Sequence, residues 1–196
     1  MKTEIEVKFL NVDFAEVRRR LKALGGTCEF PMRLMRRSII ETPELRSKHG
    51  FVRVRDEGNK VTLTYKQFIE NSLTGAKEIE TTVGDFEATV ALLAEAGLVQ
   101  QSFQESRRET WFLGDTEIVL DEWPWLNPYI EIEGASEQEV VRAAKQLGHN
   151  WKDAVFGSVT SAYQVQYPRG DSSKLVTLPM VAFDMPVPEV ISGISL

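Results

Sequence analysis

Thr3-Glu4-Ile5-Glu6-Val7-Lys8-Phe9-Leu10 is the stretch on which the fold turns. Glu4, Glu6 and Lys8 fall on one side of an extended chain and Ile5, Val7 and Phe9 on the other, a period of two that specifies a strand with one ionic and one apolar face. The same alternation returns further on. Residues 51–56 place Arg53 and Arg55 together, residues 61–67 set Thr62, Thr64 and Lys66 against Val61, Leu63 and Tyr65, and residues 77–83 bring Glu78, Glu80 and Thr82 into register. More strands are expected at 106–113, 117–121 and 129–133, and another around 35–40, before the turn at Glu41-Thr42-Pro43. A turn at Glu57-Gly58-Asn59 makes a hairpin of the two middle strands.

Charges on these faces are segregated by type. Carboxylates recur two residues apart in Glu4/Glu6, Glu78/Glu80 and Glu131/Glu133, while Arg53/Arg55 is a cationic pair at the same spacing. Two side chains so spaced leave one side of a strand about 7 Å apart, and several such pairs converge only when the sheet closes on itself. Helical spacing appears in three places: 11–25 with Phe14, Val17, Leu21 and Leu24 on one stripe, 85–97 opened by Asp85, and 136–147 opened by Ser136 and Glu139. The expected fold is therefore α+β, a closed antiparallel eight-stranded barrel with an ionic interior and helices packed on its apolar exterior.

Composition bounds the function. A chain of 196 residues with 42% hydrophobic content fills one core, and a net charge of −6 disfavours a nucleic-acid surface. Cys28 alone can form no intrachain disulfide and reads as a buried small side chain; His49 and His149 are too few, even with that thiol, for a structural zinc site. Glu109 and Glu122 fall on the opposite parity from Asp121 and Arg108 and read as solvated, and the tryptophans read as core or loop packing. No signal-peptide pattern and no apolar run of membrane-spanning length is present, so a cytoplasmic protein is expected. From about Pro168 the period is lost; residues 1–167 read as the barrel domain and 168–196 as an irregular tail, disordered or laid along a surface.

Glu4-Ile5-Glu6-Val7-Lys8 resembles the ExExK signature of the CYTH superfamily, the triphosphate tunnel metalloenzymes. The match is carried by its succession with Phe51-Val52-Arg53-Val54-Arg55, Leu63-Thr64-Tyr65-Lys66, Lys77-Glu78-Ile79-Glu80, Arg107-Arg108, Val119-Leu120-Asp121-Glu122 and Tyr129-Ile130-Glu131-Ile132-Glu133. This resemblance implies that Glu4, Glu6, Asp121, Glu131 and Glu133 bind metal, Mg²⁺ or Mn²⁺, with Glu78 and Glu80 as further lumen acids. It implies that Lys8, Arg37, Arg53, Arg55, Lys66 and Arg108 hold the triphosphate, and that Glu4, Glu6, Lys8 and Lys66 take part in catalysis. Arg36 or Arg37, and Arg107 or Arg108, compete for their positions, and the second strand, with Ile39-Ile40-Glu41, departs most from the family pattern.

The implied activity is metal-dependent hydrolysis of an inorganic or organic triphosphate such as tripolyphosphate, thiamine triphosphate or ATP. Two alternatives stand beside it: a class IV adenylate cyclase making cyclic AMP and pyrophosphate from ATP, and a polyphosphate or nucleotide sensor without turnover. A homodimer is left open.

Overall fold

The N-terminal alternation forms a strand in two pieces, β1 (Lys2–Glu4) and β2 (Glu6–Leu10), parted at Ile5, whose carbonyl accepts from Gly134. The computed structural model describes residues 1–69 and 72–194; the last two positions of the expected tail lie outside the described residues. After β2 come α1 (Phe14–Ala23), β3 (Thr27–Ile40), the short α2 (Pro43–Ser47), β4 (Gly50–Asp56), β5 (Val61–Phe68) and β6 (Ala76–Val83). Then follow α3 (Phe86–Glu95), β7 (Gln100–Leu113), β8 (Thr116–Trp123), β9 (Leu126–Glu133), α4 (Glu137–Gln146), α5 (Val159–Gln166), β10 (Met180–Val181) and α6 (Glu189–Ser192).

Hydrogen bonding orders the strands β1-β6-β5-β4-β3-β7-β8-β9-β2. The two ends of that order are consecutive in the chain, so the sheet wraps into an almost closed antiparallel barrel joined through Ile5. Nine strands make the ring where eight were expected, because the first is split; β10 is a tenth that pairs with β7 alone, in parallel. That extra pairing has a cause. At 14 residues β7 overhangs the 8-residue β8, and β10 covers part of the backbone edge left open, at Phe103 and Gln104.

The apolar faces point outward, as the alternation requires. Val7 and Phe9 of β2, Ile118 and Leu120 of β8 and Ile130 and Ile132 of β9 pack under Val17 and Leu21 of α1, Val140 and Ala143 of α4 and Leu147 just past its end. Burying each such side chain contributes about 1.5–3 kcal/mol; Phe9→Ala, opening a void beneath both helices, would cost about 3–5 kcal/mol. Side chains fix where the helices begin: Asp13 accepts from the Ala15 amide, Asp85 from Ala88, and Ser136 from Glu139, whose carboxylate reaches back to Ala135.

Several sequence expectations are corrected. β3 starts at Thr27, well before residue 35, and register shifts on either side of Phe30 let the strand pass Pro31. Cys28 lies exposed, because it sits in this unforeseen part of β3. Glu109 is buried rather than solvated: it faces outward from the barrel but lies under α1, bound by Arg18 and by Trp111 Nε1. α5 has too little apolar period to be seen, yet Ala162 and Tyr163 are buried. The C-terminal segment lies along the barrel end, with a 3-10 turn at Ser172–Val176 and with Leu175, Val181 and Ile191 buried against Trp123, Tyr129 and Tyr163.

Candidate active site

Along each barrel strand the ionic face turns inward and lines a cavity of about 940 Å³. Glu4, Glu6, Lys8, Arg37, Arg53, Arg55, Lys66, Glu78, Glu80, Arg108, Glu131 and Glu133 all line it. Asp121, wholly buried, stands behind Arg108 and engages both oxygens with that guanidinium, Oδ1 at 2.7 Å from Nε. Both sequence ambiguities resolve through parity. Arg37 and Arg108 face the lumen; Arg36 turns out to Asp56, and Arg107 to Glu122.

The lumen is electrically two-sided. Strands β5, β4, β3 and β7 are contiguous and contribute Lys66, Arg53, Arg55, Arg33, Arg37 and Arg108. Strands β8, β9, β2, β1 and β6, contiguous through the closure, contribute Glu117, Glu131, Glu133, Glu6, Glu4, Glu78 and Glu80. On the cationic side Arg37 lies directly across from Arg55, and Arg33 from Arg108. On the acidic side Glu6, Glu133 and Glu117 form one row across three strands. Like charges opposed in this way are destabilising unless a counter-charge lies between them. Lys8 among the acids and Glu57 among the bases are ion-paired exceptions, and Glu29 on β3 also lines the cationic side.

On the acidic side Lys8, 1% exposed, reaches Glu6 and Glu131 at 3.1 Å each and the Gly157 carbonyl at 2.7 Å. Burial works against its charge, but the two carboxylates outweigh burial and raise its pKa. Burial likewise favours the neutral acid at Glu131, and Lys8 and Arg108 overcome it, holding the group well below the carboxylate range. Glu4 binds Lys66 at 2.5 Å, which lowers its pKa in spite of burial. Glu78 shows the reverse: burial and the neighbouring Glu4 carboxylate push it up to about 7.

The cationic side is less well compensated. Arg37 is buried, bonded to Ser106 Oγ and stacked 4.3 Å from the Trp123 ring centroid; burial, then Arg55, Arg53 and Arg108, lower its pKa well below the usual arginine value. Burial and Arg55 similarly bring Arg53 down to about 10. A guanidinium stays charged at neutral pH, so these shifts express electrostatic cost rather than neutralisation. The Nε atoms of Arg37, Arg53 and Arg55 are buried without a hydrogen-bond partner. Buried donors left in this state are costly and call for an acceptor.

The acidic donors suit a hard divalent cation. Among the described residues no three acidic, histidine or cysteine side chains are gathered into a metal cluster. Mg²⁺ characteristically takes only one or two carboxylates and completes its shell with phosphate oxygens and water, which this half of the lumen can provide for.

Sequence reasoning missed Arg33, Glu57 and Glu117. Arg33 lies in the unforeseen half of β3, while Glu57 was read as turn and yet its carboxylate bonds Arg55 at 2.6 Å. Glu117 was legible: it stands two residues before Val119 and four before Asp121, on their face. Trp123, read as packing, lines the cavity.

No curated protein matches the chain. Among solved structures, PH1012 from Pyrococcus horikoshii OT3 is 25% identical with a TM-score of 0.65, covering 77% of this chain and 93% of its own. A candidate adenylate cyclase from Vibrio parahaemolyticus superposes with a TM-score of 0.69 at 15% identity, over 80% of this chain and 95% of its own. HpAC1 from Hippeastrum, a candidate adenylyl cyclase with a dominant triphosphatase activity, gives 0.53 at 17% identity, over 79% of this chain and 91% of its own. These last two likenesses concern the fold. The CYTH domain profile matches residues 2–155, and the chain belongs to the CYTH domain family.

Proposed function

We propose that the barrel binds a triphosphate between its two halves together with Mg²⁺ or Mn²⁺ and hydrolyses the terminal phosphate. The observation that carries this reading is two opposed pairs of guanidiniums facing one cavity, Arg37 with Arg55 and Arg33 with Arg108, of which Arg33, Arg37 and Arg55 keep a buried donor unpartnered. A polyphosphate laid along β3, β4 and β7 would accept those donors and relieve the repulsion, through charge-assisted bonds about twice as strong as neutral ones. The triphosphatase activity of HpAC1 agrees with this reading.

One or two carboxylates drawn from Glu4, Glu6, Glu131 and Glu133 would hold the divalent ion, which would supply Lewis-acid neutralisation of phosphate oxygens. Asp121 fixes the Arg108 fork, and Lys8 keeps Glu6 and Glu131 converged. Arg53, Arg55 and Lys66 then spread the charge that grows on the phosphate chain as water attacks the terminal phosphorus and the bond to the bridging oxygen breaks.

The test is phosphate release from tripolyphosphate, thiamine triphosphate and ATP with Mg²⁺ or Mn²⁺, cyclic AMP being read in the same wells. Metal-dependent phosphate release is expected. Cyclic AMP with pyrophosphate and no phosphate would replace the reading by a cyclase; tight metal-dependent binding with the ligand unchanged would replace it by a sensor.

A further inference from the structure

The ring closes where the chain passes from β1 to β2, and the two sides of that seam end differently. On the β2 side the outer edge is covered: the Glu6 amide donates to the Leu73 carbonyl, and Lys8 exchanges both backbone hydrogen bonds with Val155. On the β6 side β1 reaches only Ala76, Lys77 and Glu78. Residues 79–83, the rest of the strand, pair with β5 alone, and among the described residues no backbone group bonds their other edge.

Exposure follows from this. On β5 the inward Thr62 and Thr64 are wholly buried, but their cross-strand partners Thr82 and Glu80 are exposed, as are the outward Ile79 and Thr81. Both faces of the stretch therefore meet solvent, and the lumen wall is open beside Glu80, whose carboxylate accepts from the Thr64 hydroxyl at 2.8 Å and stands 3.5 Å from Arg53. Nothing in the sequence guards the edge. Residues 79–83 hold no proline, lysine or glycine, and Ile79, Thr81, Thr82 and Val83 are β-branched, the type that favours an added strand. On the outer face Val61, Leu63 and Tyr65 of β5 are half-buried beside Ile79, 57% exposed, so an apolar strip runs up to the edge and stops there.

We propose that residues 79–83 pair antiparallel with the same residues of a second copy of this chain, joining two barrels into a two-fold dimer and closing the seam beside Glu80. The edge complements itself, which favours a second copy over a foreign strand. In such a pairing the two-fold axis passes through one residue that faces its own copy. Centred on Glu80, it would oppose two carboxylates; centred on Thr81, it sets Ile79 against the partner's Val83 on the outer face and Glu80 against the partner's Thr82 in the lumen wall. In the second register no like charges meet, every free residue of the strand is paired, and the apolar strip continues into the other barrel. This inference is independent of what the lumen binds.

Sedimentation equilibrium of the full chain tests it, with Thr81→Lys and Thr81→Val beside wild type. Thr81 is exposed and outward-facing, so both variants keep the barrel, as circular dichroism should show. Wild type is expected to be dimeric at micromolar concentration. Thr81→Lys, which opposes two ammonium groups across the axis, should weaken the dimer more than about tenfold, while Thr81→Val should leave it within about threefold. In a Cys28→Ser background Thr81→Cys should form a disulfide-linked dimer under mild oxidation, because paired Cα atoms of antiparallel strands stand about 4.5–5.5 Å apart, within disulfide reach. Lys22→Cys, equally exposed but on α1, should not. A wild type that stays monomeric at hundreds of micromolar, a dimer that Thr81→Lys leaves unchanged, or Thr81→Cys cross-linking no faster than Lys22→Cys overturns the proposal.

Discussion

Replacing Arg37 by methionine should have opposite effects on the empty and the loaded protein. Among the described residues Arg37 makes no ion pair; its neighbours of like charge are Arg55, Arg53 and Arg108. At an effective dielectric near 20, a like charge placed about 7 Å from a guanidinium opposes it by about 2 kcal/mol. The arginine gains the Ser106 bond and the Trp123 face in return, together about 2–4 kcal/mol. Cavity water screens part of the repulsion, and the variant should be more stable than wild type by about 1–3 kcal/mol, a rise in Tm of about 3–10 °C. Tripolyphosphate with Mg²⁺ at a hundred times its Kd should stabilise wild type by about 2.7 kcal/mol. Loss of a charge-assisted contact, about 1.5–3 kcal/mol, leaves the variant a gain of only about 0.3–1.3 kcal/mol at the same concentration. Thermal unfolding of both proteins, with and without ligand, reads all four numbers. A variant less stable than wild type when empty and equally stabilised by ligand would refute the view that Arg37 is held in readiness for an anion.

Glu6→Gln keeps the shape of a proposed metal ligand and should lower metal-dependent phosphate release more than about a hundredfold, beyond the loss typical of an outer-shell partner, with an unchanged circular dichroism spectrum; turnover within threefold of wild type would remove Glu6 from the metal assignment. Lys8→Met leaves Glu6 and Glu131 facing each other in the lumen wall and should cost about 3–5 kcal/mol without divalent ions, partly restored by millimolar Mg²⁺; denaturant curves showing a loss below about 1 kcal/mol would contradict this. Glu78, raised to about 7, gives a folding-linked pH dependence. Its proton stabilises the fold fully below about pH 4.5, and this contribution disappears as pH rises through about 7. Wild type without metal should therefore lose stability relative to Glu78→Gln between pH 5 and 7, by at most about 1.4 kcal/mol per unit and less where cavity water screens the pair; parallel curves for the two proteins would show that Glu78 ionises normally.

The strands that face the lumen could be read because their two environments differ so sharply. Along Glu4-Ile5-Glu6-Val7-Lys8, apolar side chains meet α1 and α4 while charged ones meet the cavity, and a period of two records this without ambiguity. Parity placed Arg53, Arg55, Lys66, Glu131 and Glu133 on the inner face for the same reason. What parity cannot register is a strand that bends. Pro31 concealed the first half of β3, and Arg33 with it; Glu57 lies just past the last residue of β4, where a turn residue and a lumen residue look alike. Burial outside the barrel was equally hidden, since Glu109 becomes an interior group only once α1 is laid over it. The C-terminal segment lacks period because it is held by isolated contacts, Leu175, Val181 and Ile191 each entering the core from a different local structure.

Diffraction from crystals grown with tripolyphosphate and Mn²⁺ bears most directly on the two-sided lumen. A phosphate chain is expected inside the barrel within hydrogen-bond distance of Arg37, Arg53 and Arg55, with anomalous manganese density beside Glu6, Glu131 or Glu133. Phosphate confined to the outer surface at saturating concentration, or manganese away from all of these carboxylates, would contradict it.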